Sequence, residues 1–140
     1  MSEVKASCTR GMQFVVTDAN KHAIVLDSSK ELGGEESGFN PSDLLLGSLA
    51  GCTGTVVLSL LRRGRQNVTS LEVTVNGDHA KEPPFAFQTM HVNYVFKGRG
   101  LDEEAIKRAI ELSETKYCPV GASLSGSVKI TSSFRIESEE

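Results

Sequence analysis

The fold of this chain is decided by residues 40–52, Asn-Pro-Ser-Asp-Leu-Leu-Leu-Gly-Ser-Leu-Ala-Gly-Cys. Asn40 can cap a helix and Pro41 suits the first helical position, so a helix is predicted from about Ser42 to Arg63. Leucine and valine occupy nearly every side of this helix, which is typical of a helix that is buried. The pattern therefore predicts a long central helix that other elements must enclose.

Three glycines share one stripe of the predicted helix. Gly47, Gly51 and Gly54 lie at positions i, i+4 and i+7. Each costs roughly 1 kcal/mol of helix propensity relative to alanine, so some other interaction should offset the loss. The close approach of another helix is the simplest compensation.

The remaining sequence predicts an α+β fold with an antiparallel sheet. Three short strands are expected within residues 3–27, where apolar and polar residues alternate. The later elements are strands at 70–76 and 86–97, a helix from 102 to about 117 with one apolar stripe, a short helical turn near 120–124 and a last strand at 127–137. Residues 1–140 therefore fit a single domain of the α+β class.

Composition and charge limit the classes of partner. The net charge is −3 and no long run of lysine or arginine occurs, which argues against a nucleic-acid partner. The N-terminal residues contain no apolar segment of the kind that a signal peptide requires, and no uninterrupted run of 18 apolar residues occurs. The expectation is a soluble, cytoplasmic protein with no membrane partner.

The chain has three cysteines, Cys8, Cys52 and Cys118, and no Cys-x-x-Cys spacing. In a reducing compartment this pattern fits one redox pair and one bystander better than a disulfide framework or a zinc site. The three histidines also lack metal-ligand spacing, so neither a metal nor another cofactor is expected. From spacing alone, Cys52 is equally compatible with a reacting thiol and with a small core residue.

A second motif, Lys-Tyr-Cys-Pro-Val at residues 116–120, ends the second predicted helix. Five features occur together in this chain. They are the Asn-Pro helix start, the cysteine twelve residues after that asparagine, the leucine-rich helix, two long strands and this Cys-Pro-Val motif. In this combination the chain resembles the OsmC/Ohr family of thiol-dependent peroxidases, which reduce organic hydroperoxides, over nearly its whole length. The resemblance implies an intertwined homodimer in which two buried central helices pack between the subunits' sheets.

The resemblance also implies roles for individual residues. The family's reactive cysteine corresponds to Cys52, its resolving cysteine to Cys118, and its arginine to Arg10. Peroxidase branches carry a glutamate directly after Asn-Pro, but this chain has Ser42 there, so the shorter Asp43 is the candidate to orient Arg10. The resemblance is therefore closest to the less characterised OsmC-like branch.

The expected function is a cysteine-dependent peroxidase that reduces organic hydroperoxides and is regenerated by an external dithiol. Arg10 would stabilise the thiolate, although it could instead be an ordinary exposed strand residue. Cys118 is predicted at the negative end of a helix dipole, which suits a resolving thiol better than a first nucleophile. Two alternatives stay open: a dimer that binds a small hydrophobic or electrophilic molecule without turnover, and a redox sensor.

Overall fold

The computed structural model describes residues 2–139. Its contacts group the chain into two compact units, an N-terminal unit that ends at Leu45 and a C-terminal unit that begins at Leu46. The single domain over residues 1–140 stays a prediction. The boundary falls inside the first helix, so this helix contributes residues to both units.

The N-terminal unit is a three-stranded antiparallel sheet with the order β1-β2-β3. The strands are β1 (Val4–Arg10), β2 (Gln13–Asp18) and β3 (Ala23–Leu26), followed by a short 3₁₀ turn at Lys30–Leu32. The Asp18 carboxylate accepts hydrogen bonds from the backbone N–H groups of Asn20 and His22, which closes the turn between β2 and β3. The three predicted N-terminal strands are therefore confirmed.

Helix α1 (Pro41–Arg63) forms as its cap predicts. The side-chain oxygen of Asn40 accepts a hydrogen bond of 2.8 Å from the N–H of Ser42. Among residues 2–139, α1 is the one helix long and apolar enough to cross a membrane by length and composition alone, a test that core helices of soluble proteins also meet. In the single chain, α1 buries Leu49, Thr53, Gly54, Val57 and Leu61.

The C-terminal unit is a sheet with the order β4-β5-β6. Strands β4 (Asn67–His79) and β5 (Phe87–Arg99) are antiparallel, but β6 (Lys129–Ser138) runs parallel to β5. The prediction of a wholly antiparallel sheet is therefore wrong at β6. The helical segment between β5 and β6 carries the chain back across the sheet, and such a crossover brings the next strand in parallel.

The second predicted helix is interrupted. Helix α2 (Glu103–Leu112) is followed by a π-helical turn at Ser113–Tyr117 and then by α3 (Pro119–Leu124). The apolar stripe of α2 is confirmed, since Ile106, Ala109 and Ile110 are buried. They pack in one core with residues of α1 and with Val92, Tyr94 and Phe96 of β5. The π-helical turn matters for the site because Cys118 follows it directly.

Candidate functional site

The fold brings two of the predicted site residues together. The Sγ atoms of Cys52 and Cys118 lie 3.0 Å apart, although the residues are 66 positions apart in the chain. Cys52 is in the middle of α1, and Cys118 stands between the π-helical turn and α3. Both cysteines belong to the C-terminal unit and both are free thiols. The pair can form a disulfide after a movement of about 1 Å.

Cys118 is the more constrained thiol of the pair. Its residue is 4% exposed, whereas Cys52 is partly exposed. The N–H of Cys118 donates to the carbonyl of Ser113 at 3.0 Å, and its Sγ accepts from the N–H of Gly121 at 3.3 Å. Burial and the hydrogen bond to Cys52 raise the pKa of the Cys118 thiol above its ordinary value. Cys118 therefore holds its proton at neutral pH, chiefly because it is buried.

Beside the thiols lies a buried chain of three hydroxyl groups. Thr53 Oγ1 is 2.6 Å from the hydroxyl oxygen of Tyr94 and 2.9 Å from Ser113 Oγ. Burial raises the pKa of Tyr94 to about 12, so its hydroxyl stays neutral at physiological pH. Sequence reasoning missed these residues. The available signal was weak: a threonine next to the cysteine, and a tyrosine within an apolar strand.

A cavity of about 290 Å³ reaches the thiol pair on the Cys118 side. Apolar residues from three elements and one loop line it: Leu49, Val92, Val128 and Ile130. Glu114 and Lys129 add one charge of each sign to the lining. The cavity can hold a small molecule with an apolar body and a polar end.

Arg10 lies in the N-terminal unit and forms an ion pair there. Its Nη2 atom donates to Oε2 of Glu35 at 2.8 Å, and the two side chains are 71% and 66% exposed. The hydrogen bond to Glu35 raises the pKa of Arg10 further above its ordinary value. Asp43 makes no ion pair within residues 2–139 and lies in the first turn of α1, where a carboxylate is favourable.

Asp27 organises the loop that carries Glu35. Its buried carboxylate accepts hydrogen bonds from the N–H groups of Ser28, Glu35 and Ser37 and from the hydroxyl of Ser37. These bonds, the Ser37 hydroxyl first among them, lower the pKa of Asp27 from 3.8 to about 2. Residues 33–38, Gly-Gly-Glu-Glu-Ser-Gly, have the composition of a glycine-rich polar loop, and no local pattern indicates that a carboxylate at position 27 binds it.

No group of three or more His, Cys, Asp or Glu side chains in the described part of the chain is arranged to hold a metal ion. Cys8 is exposed, and its thiol contacts the carbonyl of Gly11 at 3.3 Å. The thiol pair and its surroundings therefore make up the candidate site of the C-terminal unit.

Comparisons with known proteins agree with this architecture. Residues 33–133 match the family model described as OsmC-like protein. Protein YhfA of Escherichia coli K12 is 30% identical over 96% of this chain and 97% of its own length. A hypothetical protein from Aquifex aeolicus is 27% identical, with a TM-score of 0.87 and coverage of 100% of this chain and 98% of that one.

A solved structure from Legionella pneumophila, named an organic hydroperoxide resistance protein OsmC, is 19% identical. It has a TM-score of 0.69 and covers 96% of both chains, so it shares the fold. The family match spans most of the sequence, and the structural matches span nearly all of it. The chain belongs to the OsmC-like protein family.

Proposed function

We propose that this protein is a cysteine-dependent peroxidase that reduces organic hydroperoxides. The observation that carries the proposal is the 3.0 Å separation of the Cys52 and Cys118 sulfurs. The Cys52 thiolate attacks the O–O bond, an alcohol leaves, and Cys52 becomes a sulfenic acid. The Cys118 thiol then attacks the oxidised sulfur, water leaves, and a disulfide forms. An external dithiol returns two electrons and restores both thiols.

The environment of each thiol supports this division of roles. Cys52 is partly exposed, so a substrate can reach its sulfur, and it accepts a hydrogen bond from the Cys118 thiol. Cys118 is buried and its pKa is raised, so it is a poor first nucleophile. Its position suits an attack on an oxidised neighbour.

Arg10 is the proposed cation that stabilises the thiolate and the developing negative charge. Its ion pair with Glu35 supports the proposal, because a carboxylate fixes the guanidinium plane of an arginine. In the family this carboxylate follows the Asn-Pro pair, where this chain has Ser42. Glu35 therefore takes the orienting role that the sequence suggested for Asp43.

The apolar cavity supports an organic substrate rather than hydrogen peroxide. Four aliphatic side chains contribute to its lining, so burial of a hydrocarbon group against them would add binding energy. The name of the Legionella protein, organic hydroperoxide resistance, points to the same class of substrate. We also propose a cytoplasmic location, because a disulfide that an external dithiol reduces requires a reducing compartment.

We further propose that the protein is an intertwined homodimer. A Cβ atom added at Gly47 or Gly51 of α1 meets nothing within 4 Å in the single chain, whereas one at Gly54 meets a methyl of Val73 at 3.2 Å. An open apolar groove beside the glycines is lined by Ala50, Gly51, Gly54, Thr55, Leu58, Leu71 and Val73. We propose that a second copy of α1 packs in this groove, because glycines carry no side chain and let helices approach closely.

The alternative is an OsmC-like dimer that binds a small molecule or senses oxidants without turnover. The serine at position 42 favours it, since the peroxidase branches carry a glutamate there. A coupled assay separates the readings: cumene hydroperoxide is supplied with dihydrolipoamide as dithiol, and loss of peroxide is followed. Turnover should be lost in Cys52→Ser and retained in Cys8→Ser. A wild-type rate no faster than that of free cysteine would reject the peroxidase.

A further inference from the structure

We infer that the buried hydroxyls of Thr53, Tyr94 and Ser113 are a positioning device that sets the gap between the two sulfurs. This inference rests on the proposed function in one respect, because the step that we assign to these residues is the attack of Cys118 on oxidised Cys52. They are positioning residues, since none of the three hydroxyls is required to touch the reacting atoms.

The connection between the two cysteines is short. Thr53 directly follows Cys52 in α1, and its Oγ1 lies 2.9 Å from Ser113 Oγ. The carbonyl of Ser113 accepts the N–H of Cys118 at 3.0 Å. One peptide unit and two hydrogen bonds therefore join the backbones of Cys52 and Cys118 around the thiol pair. A change in either bond moves one sulfur relative to the other.

Tyr94 links the hydrogen bonds between the two cysteine segments to the central strand of the sheet. It lies on β5, where it pairs with Val73 of β4 and with Phe134 of β6. Its hydroxyl is 2.6 Å from Thr53 Oγ1. A residue with a strand on either side has little freedom to move, so Tyr94 gives the hydroxyl chain a fixed end. Helix α1 is thereby held against the sheet at the level of Cys52.

Burial makes the hydroxyl chain hard to break. Tyr94 and Ser113 are 0% exposed, and Thr53 is 3% exposed. Each hydroxyl can donate one hydrogen bond and accept others, so the two bonds give each of the three groups at least one partner. Leaving a buried hydroxyl without its partner costs free energy. The chain therefore holds one geometry rather than several.

The resolving step of the proposed reaction depends on the distance between the two sulfurs. In the resolving step, Cys52–SOH and Cys118–SH combine to form the S–S bond and release water, after the hydroperoxide has taken two electrons. The sulfurs must close from 3.0 Å to a bond of about 2.05 Å. Holding the thiols near contact raises their effective concentration, because little motion is lost when they bond.

The first test needs no hydroperoxide. The Cys52–Cys118 dithiol is equilibrated in glutathione redox buffers, which gives the effective concentration of one thiol towards the other. Thr53→Val keeps the shape but removes the central hydroxyl, and should lower this concentration about tenfold. Thr53→Ser restores the hydroxyl and should return it to within about twofold of wild type.

Thr115→Val is the matched control. It removes the same atom within the π-helical turn, but its hydroxyl bonds locally to the carbonyl of Glu111. In this variant, the effective concentration of one thiol towards the other should equal that of wild type. If Thr53→Val does not fold, Ser113→Ala carries the test, because it keeps the carbonyl that binds the Cys118 N–H. An effective concentration unchanged in Thr53→Val, or in Ser113→Ala, overturns the inference.

A second test follows each chemical step. After one equivalent of cumene hydroperoxide, trapping by dimedone reports the lifetime of the sulfenic acid on Cys52. Thr53→Val should slow disulfide formation about tenfold relative to the first oxidation. If both steps slow equally, the role is structural and the inference fails. If wild type does not react with hydroperoxide, the proposed function fails, and the glutathione titration still decides the positioning role.

Discussion

Arg10 is bound by Glu35, a residue of the glycine-rich loop, and not by a carboxylate at the start of α1. The Nη2–Oε2 distance is 2.8 Å, and the backbone N–H of Glu35 is itself held by the Asp27 carboxylate at 3.3 Å. Asp27 thus fixes the position of the residue that orients Arg10. Within the N-terminal unit, the carboxylate beside Arg10 therefore comes from position 35.

The first prediction tests this replacement. Arg10→Ala should lower the second-order rate with hydroperoxide roughly 30- to 1,000-fold, because the thiolate and the developing charge lose their cation. Glu35→Gln should lower it less, about fivefold, since a neutral amide still accepts a hydrogen bond. Asp43→Asn and the exposed control Glu31→Gln should leave it unchanged. Stopped-flow rates decide the matter, and an effect of Asp43→Asn larger than that of Glu35→Gln would restore Asp43 as the orienting residue.

The second prediction concerns the oxidised protein. One equivalent of hydroperoxide should produce an intrachain bond between Cys52 and Cys118, found by peptide mapping under non-reducing conditions. The closed loop spans 66 positions, so in the chain-entropy model the disulfide should raise the free energy of unfolding by roughly 4 kcal/mol. Cys8→Ser should behave as wild type. A dominant disulfide that includes Cys8 would contradict the site.

The third prediction uses the pKa of Asp27. Because its folded pKa is about 2 and its ordinary value is 3.8, the ionised carboxylate stabilises the fold above about pH 4, and this stabilisation is lost as the pH falls towards 2. Asp27→Asn should therefore have a lower urea midpoint than wild type at pH 6. The difference in urea midpoint between wild type and Asp27→Asn should become smaller as the pH falls from 4 to 2. The difference between wild type and Glu31→Gln should not change with pH in this way. An Asn variant equally destabilised at pH 6 and pH 2 would assign the effect to packing.

The fourth prediction distinguishes a dimer from a monomer by whether one mutation stabilises or destabilises the protein. Alanine at Gly51 has open space in the single chain, so in a monomer it should stabilise α1 by about 1 kcal/mol. In the proposed dimer the added methyl meets the partner helix and weakens association. Sedimentation should show a dimer for wild type and a higher dissociation constant for Gly51→Ala. A wild-type protein that stays monomeric at tens of micromolar would reject the intertwined architecture.

The sequence by itself determined the elements whose signals are local. The Asn40 cap, the Pro41 start and the leucine-rich pattern defined α1, and alternation defined the three N-terminal strands, because caps and side-chain periods depend only on residues within a few positions. The two motifs, through the family resemblance they carry, also predicted that Cys52 and Cys118 form a pair. Their meeting at 3.0 Å agrees with that prediction.

Only the tertiary structure decided the relationships between distant positions. Three of these relationships join segments that are far apart in the chain. They are the parallel pairing of β6 with β5, the ion pair of Arg10 with Glu35, and the hydroxyl chain from Tyr94 to Ser113. No local preference of these residues specifies a partner. A hydrogen bond between distant segments depends on where the packing of the whole unit places both groups, and burial then makes that bond necessary.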